Sequence, residues 1–160
     1  GYLGTKHLLS RGYKNIAFIG EGLIGEVSKK RYLGYKKALT EVGIEIKEEN
    51  LYKTEISYEG GINIGRELMN RKNIDAIFAI ADIVAIGIMR SYLLSGFYIP
   101  KDVGLIGFDN LKTSSYLTPT LTTIDQNVFM KGKKAVEILF HKNEEKKIII
   151  PINLIKGETT

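Results

Sequence analysis

The chain has 160 residues, 44% hydrophobic and 26% charged, with a formal charge of +5. Those values fit one soluble globular domain able to bury its own core. It has no cysteine, which excludes a disulfide framework and thiolate chemistry. The longest apolar run, AIFAIADIVAIGI, is interrupted by Asp82 and falls short of a membrane span. No signal-peptide pattern is visible, and cytosol is the default location. The basic residues interleave with glutamates, as in SKKRYLGYKKALTEVGIEIKEEN, and read as solvated helix faces rather than a phosphate-binding stripe. With no initiator Met and a helix ahead of the first strand, the sequence is expected to be a piece of a longer polypeptide.

In chain order, residues 2–11 predict a helix and Asn15 to Gly20 (NIAFIG) a buried strand. A second helix begins near Ser28, with Tyr32, Tyr35, Leu39 and Val42 at helical spacing and Gly43 as its stop. Leu51 to Ile56 is a weaker strand and Tyr58 to Met69 a helix. Ala76 to Ile80, apolar on both faces, suits a central parallel strand. A helix opened by Ala81 or Asp82 runs to Gly96, and Val103 to Phe108 is the next strand. A Thr/Pro-rich stretch leads to a short strand at Thr122 to Ile124, a helix over 128–140 and a last strand from Lys147 to Ile155. The polar run KNEEKK before that strand reads as a surface loop. This alternation predicts an α/β fold in three layers, a mostly parallel sheet between helices.

Ligands of such a sheet sit beyond the carboxyl ends of its strands. The loops there carry Glu21, Ser28 and Arg31, then Ser57 and Tyr58, then Asp82, then Asp109 and Asn110, then Asp125 and Gln126. An arginine among carboxylates and amides suits a polar, polyhydroxylated small molecule. Each residue also has a structural reading: Asp82 as a helix cap, Asp109 and Asn110 as turn formers, Arg31 as a solvated helix residue, Gln126 as a helix-start residue. His7 and His141 lie away from the strand ends, at expected surface positions. There is no nucleophile elbow, Walker loop or dinucleotide fingerprint, so no enzymatic activity and no cofactor are expected. Asp82, Asp109 and Glu21 as a magnesium site, in a phosphatase or receiver-like domain, is the remaining catalytic alternative.

Five segments, TKHLLSRGYKNIAFIG, RYLGYKKAL, DAIFAIADIVAIGIMR, GFYIPKDVGLIGFDN and LTPTLTTIDQ, resemble in order and spacing the effector-binding core of LacI/GalR repressors. The resemblance covers essentially the whole chain and implies a cytoplasmic, non-enzymatic sensor of a sugar-like effector. It implies a periplasmic-binding-protein-like type I fold, mainly its C-terminal lobe, a homodimer, and operator DNA bound only through a helix-turn-helix outside this chain. A sugar-transport solute-binding protein is the alternative. Residues 15–122 with 147–160 would form the second lobe, and helices 2–11 and 128–140 would belong to a first lobe outside the chain. The chain would cross between lobes near Tyr13, Asp125 and Lys146.

By motif position Arg31, in R-x-x-G-Y, falls on the family's effector-binding arginine. Asp109 falls on the aspartate of G-[FY]-D, preceded by Phe108, and Gln126 on the polar residue after T-T-[IV]. Asp82 occupies the second position of the family's Asn-Asp pair. The chain departs from the pattern at Ala81, where relatives place Asn, and at Ile56, where many place an aromatic residue. A donor-acceptor and a stacking face are therefore missing, and a hexose or purine does not follow automatically. The dimer surface is expected at Tyr116, Leu117 and the Tyr92 side of helix 83–95.

Overall fold

The structure, a computed structural model, describes residues 1–22, 25–141 and 147–160. Four parallel strands form the sheet: β1 (Ile16–Gly20), β2 (Leu51–Lys53), β3 (Ala76–Ala79) and β4 (Gly104–Ile106), in spatial order β2-β1-β3-β4. On one face α1 (Tyr2–Ser10) and α2 (Glu26–Glu41) bring Leu8, Tyr35 and Leu39 against Ile16, Phe18, Ala76 and Phe78. On the other, α3 (Tyr58–Leu68) and α4 (Asp82–Leu94) bring Ile64, Leu68, Val84, Ala85 and Ile88 against Ala17, Ile19, Ile77 and Ala79. Successive strand residues thus serve opposite layers, as the pleat requires. Every residue of β1, β3 and β4 is buried, the signature of strands covered on both faces. This is the predicted three-layer fold, with strands shorter than their apolar runs; Leu51 to Ile56, for example, contributes only three residues to β2.

The short strand β5 (Thr123–Asp125) pairs antiparallel with β6 (Asn153–Ile155), much shorter than the segment from Lys147 that the sequence suggested. The edge of β4 is then finished by two separate segments. Gly107 N donates to the Thr122 carbonyl at 2.9 Å, and Leu105 N donates to the Thr159 carbonyl at 2.8 Å. Thr159 is itself buried, its hydroxyl donating to the Leu105 carbonyl at 2.7 Å and accepting from Thr122 N at 2.9 Å. His7 reaches the same place, its Nε2 2.7 Å from Thr160 Oγ1. It is half-buried rather than a surface residue, and burial lowers its pKa, helped by Lys156 and Arg11. The side chain of His141, most of the KNEEKK run and the crossing near Lys146 lie outside the described residues.

Helix 2–11 is not a cover for a sheet outside the chain. Leu8 is wholly buried and Gly4 packs on Phe78 and Ile106, so α1 covers the sheet described here. Close approach of backbones permits this: a Cβ on Gly34 of α2 would lie 2.4 Å from Tyr2 N. The final helix, α5 (Val128–His141), differs, for Phe129, Leu139 and Phe140 are 84%, 77% and 80% exposed. Tyr92, expected on an outer surface, is buried beside Phe97, and Leu117 leans on the α3/α4 core; Tyr116 is exposed as expected.

The α3/α4 contact is set by small residues. A Cβ on Gly61 would meet the Val84 carbonyl at 2.3 Å, and one on Gly87 the Tyr58 carbonyl at 2.2 Å. Gly87→Ala is expected to force the helices apart at a cost of about 1–3 kcal/mol, the scale of overpacking. Gly132→Ala on α5, where a methyl meets nothing within 4 Å, is expected to be neutral or stabilising by about 0.5–1 kcal/mol. Urea unfolding of the two variants tests this, and equal stabilities would show that the helices can separate freely.

Candidate functional site

The site is built at the carboxyl ends of β3 and β4. Arg31, in the second turn of α2, lays its guanidinium across both. Nη1 donates to the Ile80 carbonyl, Nη2 lies 3.4 Å from Asp109 Oδ1, and Cζ sits 3.8 Å above the Phe108 ring. Phe108 itself is buried and gives the planar cation a face to stack on. The same Asp109 oxygen accepts from Gln126 Nε2, and Lys131 Nζ, in the first turn of α5, donates to Gln126 Oε1 at 2.6 Å. Arg31, Asp109 and Gln126, far apart in sequence, therefore meet in one cluster.

Asp109 is held in an unusual backbone conformation. Its φ is 117° and that of Asn110 is 55°, both in the region that favours glycine. The following loop is fixed from below. Asp82 is completely buried, and its carboxylate accepts from Leu111 N at 2.8 Å, Ser114 Oγ at 2.7 Å and Thr123 Oγ1 at 2.5 Å. Asp82 N donates to the Phe108 carbonyl at 2.7 Å. Gly107 makes room for this group, since a Cβ there would lie 2.2 Å from Asp82 Oδ1. Asp82 is accordingly no contact for a bound molecule, nor a side-chain cap; it follows the N-cap Ala81 and ties α4 to the loop and to β5.

The other positions read from sequence divide in the same way. Ala81 is buried, and Ile56 is half-buried against both core clusters, so neither brings a hydrogen-bonding side chain. Ser57 caps α3 by accepting from Gly60 N at 3.0 Å, next to a half-buried Tyr58. Ser28 is buried with its hydroxyl 3.4 Å from Glu21 Oε2. Asp125 Oδ1 accepts from Asn127 N at 2.9 Å, and Asn110 is exposed, its N–H 3.3 Å from Thr123 Oγ1. Among the described residues, no group of three or more His, Asp or Glu side chains could hold a metal ion, so Asp82, Asp109 and Glu21 do not converge. Lys131 escaped the sequence reading because it stands in a lysine-rich helix whose cations looked uniformly solvated.

Asp109 Oδ2 takes part in no hydrogen bond among the described residues. No buried side-chain polar atom there lacks a partner, so this oxygen faces solvent. A concavity of about 100 Å³ lies between Tyr32 of α2 and Phe18, Gly20, Leu51 and Lys53 at the β1/β2 edge.

Residues 5–160 match the family model of the periplasmic binding protein-like domain. The chain is 33% identical over 146 residues to the HTH-type transcriptional repressor PurR of Glaesserella parasuis, covering 91% of this chain and 43% of that one. A LacI family transcriptional regulator from Enterococcus faecium, solved with bound ribose, superposes with a TM-score of 0.88 at 32% identity, over 99% of this chain and 61% of that one. The transcription regulator CcpA of Lactococcus lactis gives a TM-score of 0.90 at 27% identity, over 99% and 60% of the two chains. The chain thus spans less than half the length of the PurR relative.

Burial raises the Asp109 carboxyl above its ordinary value of 3.8, with Asp82 adding to the effect; Arg31 and the Gln126 amide pull the other way and do not cancel it. A carboxyl raised in the fold favours folding most when protonated. Its contribution is full below the ordinary value and is lost as pH rises through the folded value. The stability of the wild type relative to Asp109→Asn is therefore expected to increase as pH falls from 7 toward 4. Thermal unfolding of both proteins across that range checks the sign; a difference that shrinks in acid would contradict it.

Proposed function

Because the chain belongs to the periplasmic binding protein-like family, in the form found in LacI-type transcriptional regulators, we propose that it senses a small polyhydroxylated effector at the Arg31–Asp109–Gln126 cluster. The observation that carries this is the shared carboxylate. Asp109 keeps Oδ2 open to solvent while Arg31 and Gln126 hold Oδ1, which leaves an oriented acceptor beside spare guanidinium donors. A vicinal diol presents the matching pattern, donating to the carboxylate and accepting from the arginine. Ribose is the bound molecule in the Enterococcus faecium relative, and a pentose is the first compound to try here.

In this reading the exposed apolar face of α5 covers a first lobe, and the effector is held between the lobes. The response is a shift between two lobe arrangements with different effector affinity, which requires no transition-state chemistry. The regulator works in the cytoplasm as a homodimer and reaches operator DNA through a separate helix-turn-helix. The dimer face is the outer side of α3 and α4 with the 112–118 turn, where Tyr58, Ile86, Leu93 and Leu117 line a groove of about 410 Å³ and Tyr116 is 68% exposed. Apolar surface of this kind is characteristic of partner contacts.

Arg31→Ala in the full-length regulator is expected to weaken effector binding by about 2 kcal/mol or more, roughly thirtyfold in Kd, the scale of a lost charge-assisted hydrogen bond. Arg31→Lys should recover only part, since an ammonium cannot span Ile80 and Asp109 together. Calorimetry with the best pentose or hexose from a thermal-shift screen measures both; an unchanged Kd in Arg31→Ala rules the site out. Sedimentation at micromolar concentration should show a dimer that Leu93→Glu dissociates, and a wild-type monomer would remove the proposed interface.

A further inference from the structure

The polar groups of the cluster are unequal in charge. Arg31 and Lys131 bring two cations to it, and among the described residues Asp109 is the carboxylate hydrogen-bonded within the cluster, to Arg31 and to the Gln126 amide that Lys131 also contacts. Of the other carboxylates on the strand-end loops, Glu21 lies beside Ser28 and forms no ion pair with Arg31 or Lys131 among the described residues, and the two nearest the cluster in sequence are already committed. Asp82 is enclosed by Leu111, Ser114 and Thr123, and Asp125 accepts from the Asn127 backbone. Among the described residues no carboxylate lies within ion-pair distance of Lys131, which donates instead to the neutral oxygen of Gln126.

Donors also outnumber acceptors. A guanidinium has five N–H groups and an ammonium three. The hydrogen bonds described for Arg31 go to Ile80 and Asp109, and the one described for Lys131 goes to Gln126. A neutral polyol meets such a site with hydroxyls that donate as often as they accept. A phosphate or carboxylate meets it with acceptors alone and adds the missing charge.

We infer that Lys131 is a further binding residue of this site and that the effector is a polyol carrying one anionic group, a phosphate or a carboxylate. The hydroxyls face Asp109 Oδ2 and the anion faces Lys131, with Gln126 between them turning its amide oxygen away as the ammonium takes the new partner. The inference rests on the reading of the cluster as an effector site and narrows its ligand.

The test compares each neutral sugar with its charged derivatives on the full-length polypeptide that carries this chain. Ribose, ribose 5-phosphate and ribonate form one series, and glucose, glucose 6-phosphate and gluconate the other, with Kd measured by calorimetry. In at least one series an anionic member is expected to bind about tenfold or more tighter than its neutral parent, the scale of one charge-assisted bond. That preference should weaken with added salt, vanish in Lys131→Ala and return in Lys131→Arg. Phosphate and carboxylate arms show which oxyanion the site takes. Neutral sugars binding as tightly as their derivatives, or an anion preference that survives Lys131→Ala, overturns the inference and leaves the effector site standing. Binding of none of the six compounds at millimolar concentration overturns the polyol reading and the inference together.

Discussion

The buried carboxylate of Asp82 is the joint on which the strand-end edge of this sheet depends. It stands at the start of α4, accepts hydrogen bonds from the 111–114 turn and from β5, and fits only because Gly107 has no side chain. A buried acceptor of this kind is costly without partners and strongly organising with them. By fixing the turn from below, it holds Asp109 in its positive-φ conformation, and β5 delivers Gln126 to the same place. Three separate pieces of chain are thereby registered to one another before any ligand is considered.

That arrangement separates an enclosed carboxylate from an accessible one. Asp82 is wholly enclosed, whereas Asp109, some residues further along, has one oxygen held by Arg31 and Gln126 and the other open. Two carboxylates of the same chemical type thus do different work according to burial alone. The aromatic ring of Phe108 beneath Arg31 contributes to the same end, since a guanidinium stacked on a ring and bonded to a backbone carbonyl has little freedom left to lose on binding.

Much of this was legible in the sequence. Continuous apolar runs at 16–20 and 76–80 mark strands buried on both faces, and the segments after the strands at 15–20, 103–108 and 122–124 name Arg31, Asp109 and Gln126 as candidates. What the sequence concealed has physical causes. Asp82 and Asp109 each follow an apolar strand and look equivalent, because burial depends on which loop folds over the group. Leu3, Leu8 and Leu9 of α1 announce an apolar face without saying what covers it. The close approach at Gly34, visible only in three dimensions, places that face on this sheet. Tyr92 looked like surface because in a helix as apolar as α4 the period carries little information about which side is buried. Lys131 had no local signal at all, since its partner lies on the preceding strand-end loop.

The stitching of β4 by Thr122 and Thr159 bears on the order in which the lobe is made. During synthesis β1, β3 and β4 emerge well before residues 157–160, so the β4 edge has its Thr159 partner only after the intervening β5, α5 and β6 segments have left the ribosome. Closure across such a sequence separation is entropically slow, and an unpaired strand edge is the kind of surface that nascent chains mispair. The emerging chain therefore passes through a stage in which its core is collapsed and its sheet unfinished, and in a crowded polysome chaperone capture would act on that stage.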